Sequence, residues 1–167
     1  MQARAARPRV PVVAAALFDD TGRVLIAQRP AGKALAGRWE FPGGKVAAGE
    51  SEPSALAREL REELGIEGIA ARPFMRLTHP YEERDVLLSL WIVERFAGEP
   101  RSLDAQALKW VAPARLADED ILEADQPFIA ALAGLAGSAE GRGECDGVYN
   151  ARRYSRRKFH GIAEGSS

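Results

Sequence analysis

The run from Val10 to Phe18 is apolar at almost every position, turns polar at Asp19-Asp20-Thr21-Gly22, and becomes apolar again through Val24-Leu25-Ile26-Ala27. Short apolar runs bounded by turn residues suit buried strands, so Val10 to Gln28 predicts a hairpin. Arg29 to Gly49 is rich in glycine and proline and predicts a loop, with a short strand around Trp39-Glu40-Phe41. The period then changes. Leu56, Leu60 and Leu64 recur every four residues, the buried stripe of an amphipathic helix. Ser51 is its predicted N-cap, Glu52 and Pro53 occupy its first turn, and Gly65 is its C-terminal stop. Further on, Leu77 to Phe96 divides at Pro80-Tyr81-Glu82-Glu83 and continues as Val86 to Val93, long enough for a buried strand. Ala107 to Val111 predicts a short strand, Pro113 to Ala117 a turn or short helix, and Gln126 to Leu135 an amphipathic helix. Strands and helices alternating irregularly predict an α/β or α+β layered domain.

Composition narrows the function classes. Hydrophobic residues make up 46% of the 167 positions and charged residues 28%, which suits one globular domain and excludes global disorder. The formal charge of −1 excludes a strongly basic nucleic-acid coat and suggests no standing attraction to anionic membranes. A lone cysteine, Cys145, forms no internal disulfide and excludes a cysteine-rich zinc module, and His79 and His160 are too few for a multi-histidine metal site. Arg4, Arg7 and Arg9 before an apolar run resemble a signal peptide superficially, but Pro11 interrupts the run and a returning strand follows. The reducing cytoplasm is the expected compartment. After Leu135 large apolar side chains become rare. The expected organisation is a flexible 1–9, a domain over 10–135 and a disordered tail over 136–167. The tail's basic cluster Arg152 to Lys158 fits nucleic acid in charge alone, and a solvated tail is the simpler reading, so no stable nucleic-acid partner is expected.

One segment runs against local stability. Glu59, Glu62 and Glu63 sit at i, i+3 and i+4, so their carboxylates share one helix face. Like charges so spaced cost ~0.2–0.5 kcal/mol per pair, and anions near a helix C-terminus oppose the macrodipole. A solvated acidic face and a site for hard divalent cations both account for the pattern. The entrance Phe41-Pro42-Gly43-Gly44-Lys45, where backbone can approach a ligand closely, and a fourth carboxylate at Glu50 favour the cation site.

Gly44, five residues, Glu50, seven residues, then Arg58-Glu59-Leu60-Arg61-Glu62-Glu63-Leu64-Gly65-Ile66 fills every fixed position of the Nudix box. The chain resembles Nudix hydrolases from about Val10 to Leu135. The segments Trp39 to Lys45, Val93-Glu94-Arg95-Phe96 with Gly98-Glu99-Pro100, and Ala124-Asp125-Gln126-Pro127 resemble the MutT-type subfamily. The resemblance implies a Nudix fold, a mixed β-sheet sandwiched between helices. It implies a metal-dependent pyrophosphohydrolase using Mg²⁺, with Mn²⁺ as a substitute, and a nucleoside triphosphate as substrate. Glu59, Glu62 and Glu63, with the Gly43 carbonyl, would ligate metal, and Glu59 is the first candidate for general base. Glu50 would be a supporting ligand or a structural carboxylate, and Arg58 would orient a box glutamate.

Away from the box the correspondence loosens. Asp104 stands where the subfamily carries a metal-binding or water-activating glutamate, one methylene shorter. Arg29 matches an arginine that contacts substrate phosphate, Arg84 another close to the nucleotide, and Lys45 would add positive charge. Asp125 stands where MutT-type enzymes place a base-recognising asparagine; alternatively it caps the following helix. Trp91 and Trp110 lie in predicted strands and read as core. The leading expectation is hydrolysis of 8-oxo-dGTP to the monophosphate and pyrophosphate, which sanitises the nucleotide pool. Hydrolysis of CTP, a dinucleoside polyphosphate or ADP-ribose stays open, as does a catalytically silent nucleotide-binding module, and the oligomeric state is not set.

Overall fold

A computed structural model describes residues 7–139; Cys145, His160 and the basic cluster lie outside the described residues. Strand β1 (Arg9–Leu17) is the spine of a four-stranded sheet. It pairs antiparallel with β4 (Gly43–Lys45) on one edge and parallel with β6 (Asp85–Ala97) on the other, and β5 (Glu67–Pro80) lies outside β6. Parallel neighbours need a long crossover, and helix α1 (Glu52–Leu64) lies in it.

Side-chain alternation along β1 explains the apolar run. Val13, Ala15 and Leu17 pack with Ala55, Leu56, Leu60 and Leu64 of α1, whereas Ala14 and Ala16 pack with Phe128, Ile129 and Leu132 of helix α2 (Gln126–Ala139). A strand covered on both faces has no polar face, so the period of two is hidden in its sequence. The sheet lies between the two helices, as the Nudix resemblance implies. Trp91 and Trp110 belong to the α1 side of the core, as expected.

The predicted hairpin is only half formed. Its turn is built as expected: the Asp19 carboxylate accepts from the backbone N–H groups of Thr21 (3.0 Å) and Arg23 (2.9 Å). Beyond one bridge between Phe18 and Val24, however, β2 (Val24–Gln28) leaves β1 and pairs with β3 (Trp39–Glu40) and β7 (Leu108–Val111) in a second sheet. Both edges of β1 are occupied by β4 and β6, so β2 pairs elsewhere.

Regular structure also extends past the expected boundaries. Arg9 already belongs to β1, the Asp85 N–H donates to the Pro8 carbonyl (2.9 Å), and the Arg7 guanidinium donates to the carbonyls of Tyr81 and Glu82. Residues 7–9 therefore belong to the folded body and not to a flexible N-terminus. At the other end α2 continues past Leu135 to Ala139. The first part of β5 has no counterpart in the predicted elements, because register shifts between Glu67 and Ala70, at Ala71, and between Pro73 and Met75 break the alternation.

Candidate active site

The site begins at the two ends of α1. The Ser51 hydroxyl accepts from the Ser54 N–H (3.3 Å), and Gly65 closes the helix in the left-handed region (φ 67°), as the sequence predicts. With both ends fixed, the buried leucine stripe faces the sheet and the glutamates face β4 and the solvent. At Gly43 (φ 154°) a Cβ would run into the Val13 carbonyl of β1, and at Gly44 it would overlap the Glu59 carboxylate. The paired glycines thus let β4 close on β1 and let a helix carboxylate rest on bare backbone.

Arg58 organises the acidic face. Its Nε and Nη2 donate to the two oxygens of Glu50 (2.8 and 3.0 Å), and Nη2 also donates to the Lys45 carbonyl (3.0 Å). Nη1 donates to Glu59 Oε1 (2.7 Å) and at 3.4 Å to Glu62 Oε2. Glu50 further accepts from the Ala47 N–H (2.9 Å). The Arg58 hydrogen bonds, helped by Ala47, hold the Glu50 carboxyl at about 2. Both Glu50 oxygens are thus engaged by Arg58 and the Ala47 N–H.

Glu63 is largely buried and accepts from the Gly43 N–H (3.3 Å). Burial, together with the Glu59 and Glu40 charges, pushes its carboxyl up to about 7. Crowded carboxylates whose charge burial penalises are what a cation would relieve. Glu63 also lines a polar cleft with Glu40, Gln28, Lys33, Asp104 and Gln106. Across the cleft mouth, Asp104 Oδ2 pairs with Lys33 Nζ at 3.4 Å. The Gln106 side chain accepts from the Asp104 N–H (3.0 Å) and donates to the Glu63 carbonyl (3.4 Å), linking the two sides. Among the described residues no three carboxylates, histidines or cysteines stand close enough to enclose an ion by themselves. Glu62 stays half exposed. An all-oxygen donor set short of a cage fits Mg²⁺, which keeps several waters and completes its shell with substrate phosphates.

The second half of the site is different in kind. Asp125 ends the 3₁₀ turn Glu123–Asp125 and is 5% exposed. Its Oδ2 accepts from the Phe41 N–H (3.2 Å), a contact across the fold and not a cap of α2. Burial pushes its carboxyl up to about 7, against the lowering effect of the Phe41 hydrogen bond. Arg29 is turned inward: Nη1 donates to Glu40 Oε2 (2.7 Å) and Nε to the Ala34 carbonyl (2.7 Å). Burial raises the Glu40 carboxyl even so. Arg84 sits in the β5–β6 turn, where its carbonyl accepts from the Tyr81 N–H (2.8 Å). The Tyr81 phenol, pushed up by burial and then by the Asp125 charge, also feels Arg29, Glu40 and Arg84.

A NUDIX domain model matches residues 13–131. The chain belongs to the Nudix family. A Mycobacterium tuberculosis protein provisionally named 8-oxo-dGTP diphosphatase 2 is 49% identical over 70% of this chain and 84% of its own length. The CTP pyrophosphohydrolase of Escherichia coli K12 is 40% identical over 74% of this chain and 91% of its own length. Among solved structures, one from a study of MutT of Aliivibrio salmonicida and Vibrio cholerae superposes with a TM-score of 0.66 at 34% identity, covering 75% of this chain and 98% of that one. This Nudix protein is a hydrolase of phosphoric anhydride bonds, MutT-like in fold and sequence. Among the described residues no helix is long and apolar enough to cross a membrane.

Of the residues predicted for the Nudix site, the structure brings Gly43, Arg58, Glu59 and Glu63 together, with Glu62 at their edge. Asp104 faces Glu63 across the cleft. Lys45 is exposed, and its carbonyl, not its charge, is engaged by Arg58. Glu40, Lys33 and Gln106 were not singled out by sequence reasoning. Glu40 had a signal in its place within Trp39 to Lys45, whereas the other two lie in loops without periodicity.

Proposed function

We propose that this Nudix hydrolase converts 8-oxo-dGTP to 8-oxo-dGMP and pyrophosphate in the cytoplasm, sanitising the nucleotide pool. The observation that carries the reading is Asp125. One of its oxygens takes the Phe41 N–H and burial favours the neutral acid, so the carboxyl presents both a donor and an acceptor. 8-Oxoguanine offers the complementary edge, an N7–H donor beside the O6 acceptor. Glu59, Glu62 and Glu63 with the Gly43 carbonyl would hold Mg²⁺ or Mn²⁺, joined by Asp104 from the opposite loop. A cation held there would supply charge neutralisation at the phosphate oxygens and acidify a water beside it. Glu59, steadied by Arg58 and seated on Gly44, takes the proton from the attacking water. Glu63 is kept in place by the Gly43 N–H, and Arg58 orients Glu59 while leaving one carboxylate oxygen free. Arg29 braces Glu40 at the cleft wall, and Arg84 sets positive charge beside the nucleotide.

A second reading has a specific basis. Ionised Asp125 only accepts, which suits an exocyclic amine such as that of cytosine, and one relative is named CTP pyrophosphohydrolase. A pyrophosphate-release assay with Mg²⁺ over 8-oxo-dGTP, dGTP and CTP, run at pH 6 and pH 8, decides between them. A clear 8-oxo-dGTP preference at pH 6 is the expected result. CTP as the best substrate at both pH values would overturn the proposal.

A further inference from the structure

The cleft that holds Glu63 is lined by three carboxylates, Glu40, Glu63 and Asp104, and by one cationic side chain, Lys33. A polyanionic substrate entering it meets a wall of like charge, apart from that single ammonium. Lys33 stands at the tip of a braced loop. The loop base is closed by Arg29 N–H to Arg38 carbonyl and Gly37 N–H to Arg29 carbonyl, both 2.9 Å. Its inside is tied by Gln28 Nε2 to the Gly37 carbonyl (2.9 Å) and Arg29 Nε to the Ala34 carbonyl (2.7 Å). The tip is therefore placed by the fold. Lys33 lines the cleft together with Glu40 and Glu63, and its charge acts to lower the pKa of both. That partner, Asp104, belongs to the opposite loop, 71 residues away, and both side chains are more than half exposed. Exposed ion pairs are weak and screened by salt, and a triphosphate offers an ammonium more negative charge than one carboxylate does.

We infer that Lys33 binds the triphosphate chain of the substrate, and that Asp104 holds its ammonium across the cleft mouth until the phosphates replace the carboxylate. The inference rests on the hydrolase reading above and adds a phosphate-binding residue to it. The exchange also frees Asp104 as the substrate arrives, when an oxygen ligand is needed on that side. No bond is made or broken; one ion pair is traded for another.

The test is binding in EDTA, where Asp104 has no cation to serve. The probes are dGTP with a methylene bridge between its α and β phosphorus atoms and, as control, dGMP, titrated calorimetrically. Lys33→Met should weaken the triphosphate analogue about tenfold and leave dGMP unchanged, and Lys33→Arg should recover most of the loss. Asp104→Asn should tighten the analogue about threefold by releasing Lys33, and the double variant should behave like Lys33→Met alone. In turnover with Mg²⁺, Lys33→Met should raise KM with little change in kcat. Unchanged analogue affinity in K33M, an equal loss for dGMP, or weaker binding in D104N would overturn the inference. A wild-type enzyme that releases no pyrophosphate from any nucleoside triphosphate would instead sink the hydrolase reading, and this inference with it.

Discussion

The end of the site proposed for the phosphates and the end proposed for the base are built by opposite means. At the phosphate end, Gly43 meets Glu63 across 20 residues of chain, and Arg58 binds Glu50, Glu59 and Glu62 within a single helix and its lead-in. At the base end, Phe41 and Asp125 meet across 84 residues. The first end works by concentrating charge at the surface and bridging it with one arginine. The second buries a carboxyl, and burial pushes it up to about 7. Local charge can be arranged by spacing on a helix. A shifted protonation state needs a solvent-free pocket, which distant parts of the chain must enclose.

The largest expected effect tests the phosphate end alone. Glu59→Gln should lower kcat by ~10²–10⁴-fold while nucleotide affinity and melting temperature stay near wild type, since a positioned base is lost and no core contact is. Near-normal turnover in E59Q would remove Glu59 as general base. Gly44→Ala comes next. Its methyl group would displace the Glu59 carboxylate without touching the helix core. A shift of about 1 Å can cost ~10²-fold in rate, so kcat should fall sharply with the fold retained. An unimpaired G44A enzyme would show that Glu59 need not lie against β4.

The third prediction addresses the base end through pH. With Asp125 at about 7 in the fold and 3.8 as the reference value, the folded protein retains a proton that the unfolded chain releases between those limits. This group's contribution to stability therefore falls as pH rises from about 4 to about 7 and then levels off. Asp125→Asn lacks the titration, so its melting temperature relative to wild type should climb across that window. In parallel, kcat/KM of wild type for 8-oxo-dGTP should fall above pH 7, and D125N should flatten the fall while preferring 8-oxo-dGTP over dGTP. A D125N enzyme without that preference would break the proposed base recognition. The smallest effect is expected from deleting residues 140–167. Both ends of the site lie within 7–139, so activity and melting temperature should hardly move; a marked drop in either would give the tail a role in one of them.

The acidic helix could be read in full from the sequence, with its cap, stop, stripe and glutamate spacing, because all of these are encoded within a few turns of one element. The glycines at 43 and 44 were equally legible as places of close approach. What each approaches was not: Val13 for one and Glu59 for the other come from separate elements. The hairpin of β1 and β2 failed for the same reason, since a turn motif specifies the turn and not which edges remain free for pairing. The first part of β5 has no signature in the sequence because its bulges erase the alternation that identifies strands.

Sequence alone therefore determined the family and the acidic helix face proposed to bind metal, because both follow from fixed spacing within a few turns of chain. The tertiary structure decided that Glu50 is engaged by Arg58, that Arg29 is turned onto Glu40, and that Lys33 and Asp104 face each other across the cleft. It also decided the environment of Asp125. Burial and partner choice depend on what distant segments pack against a side chain, and no local pattern encodes that.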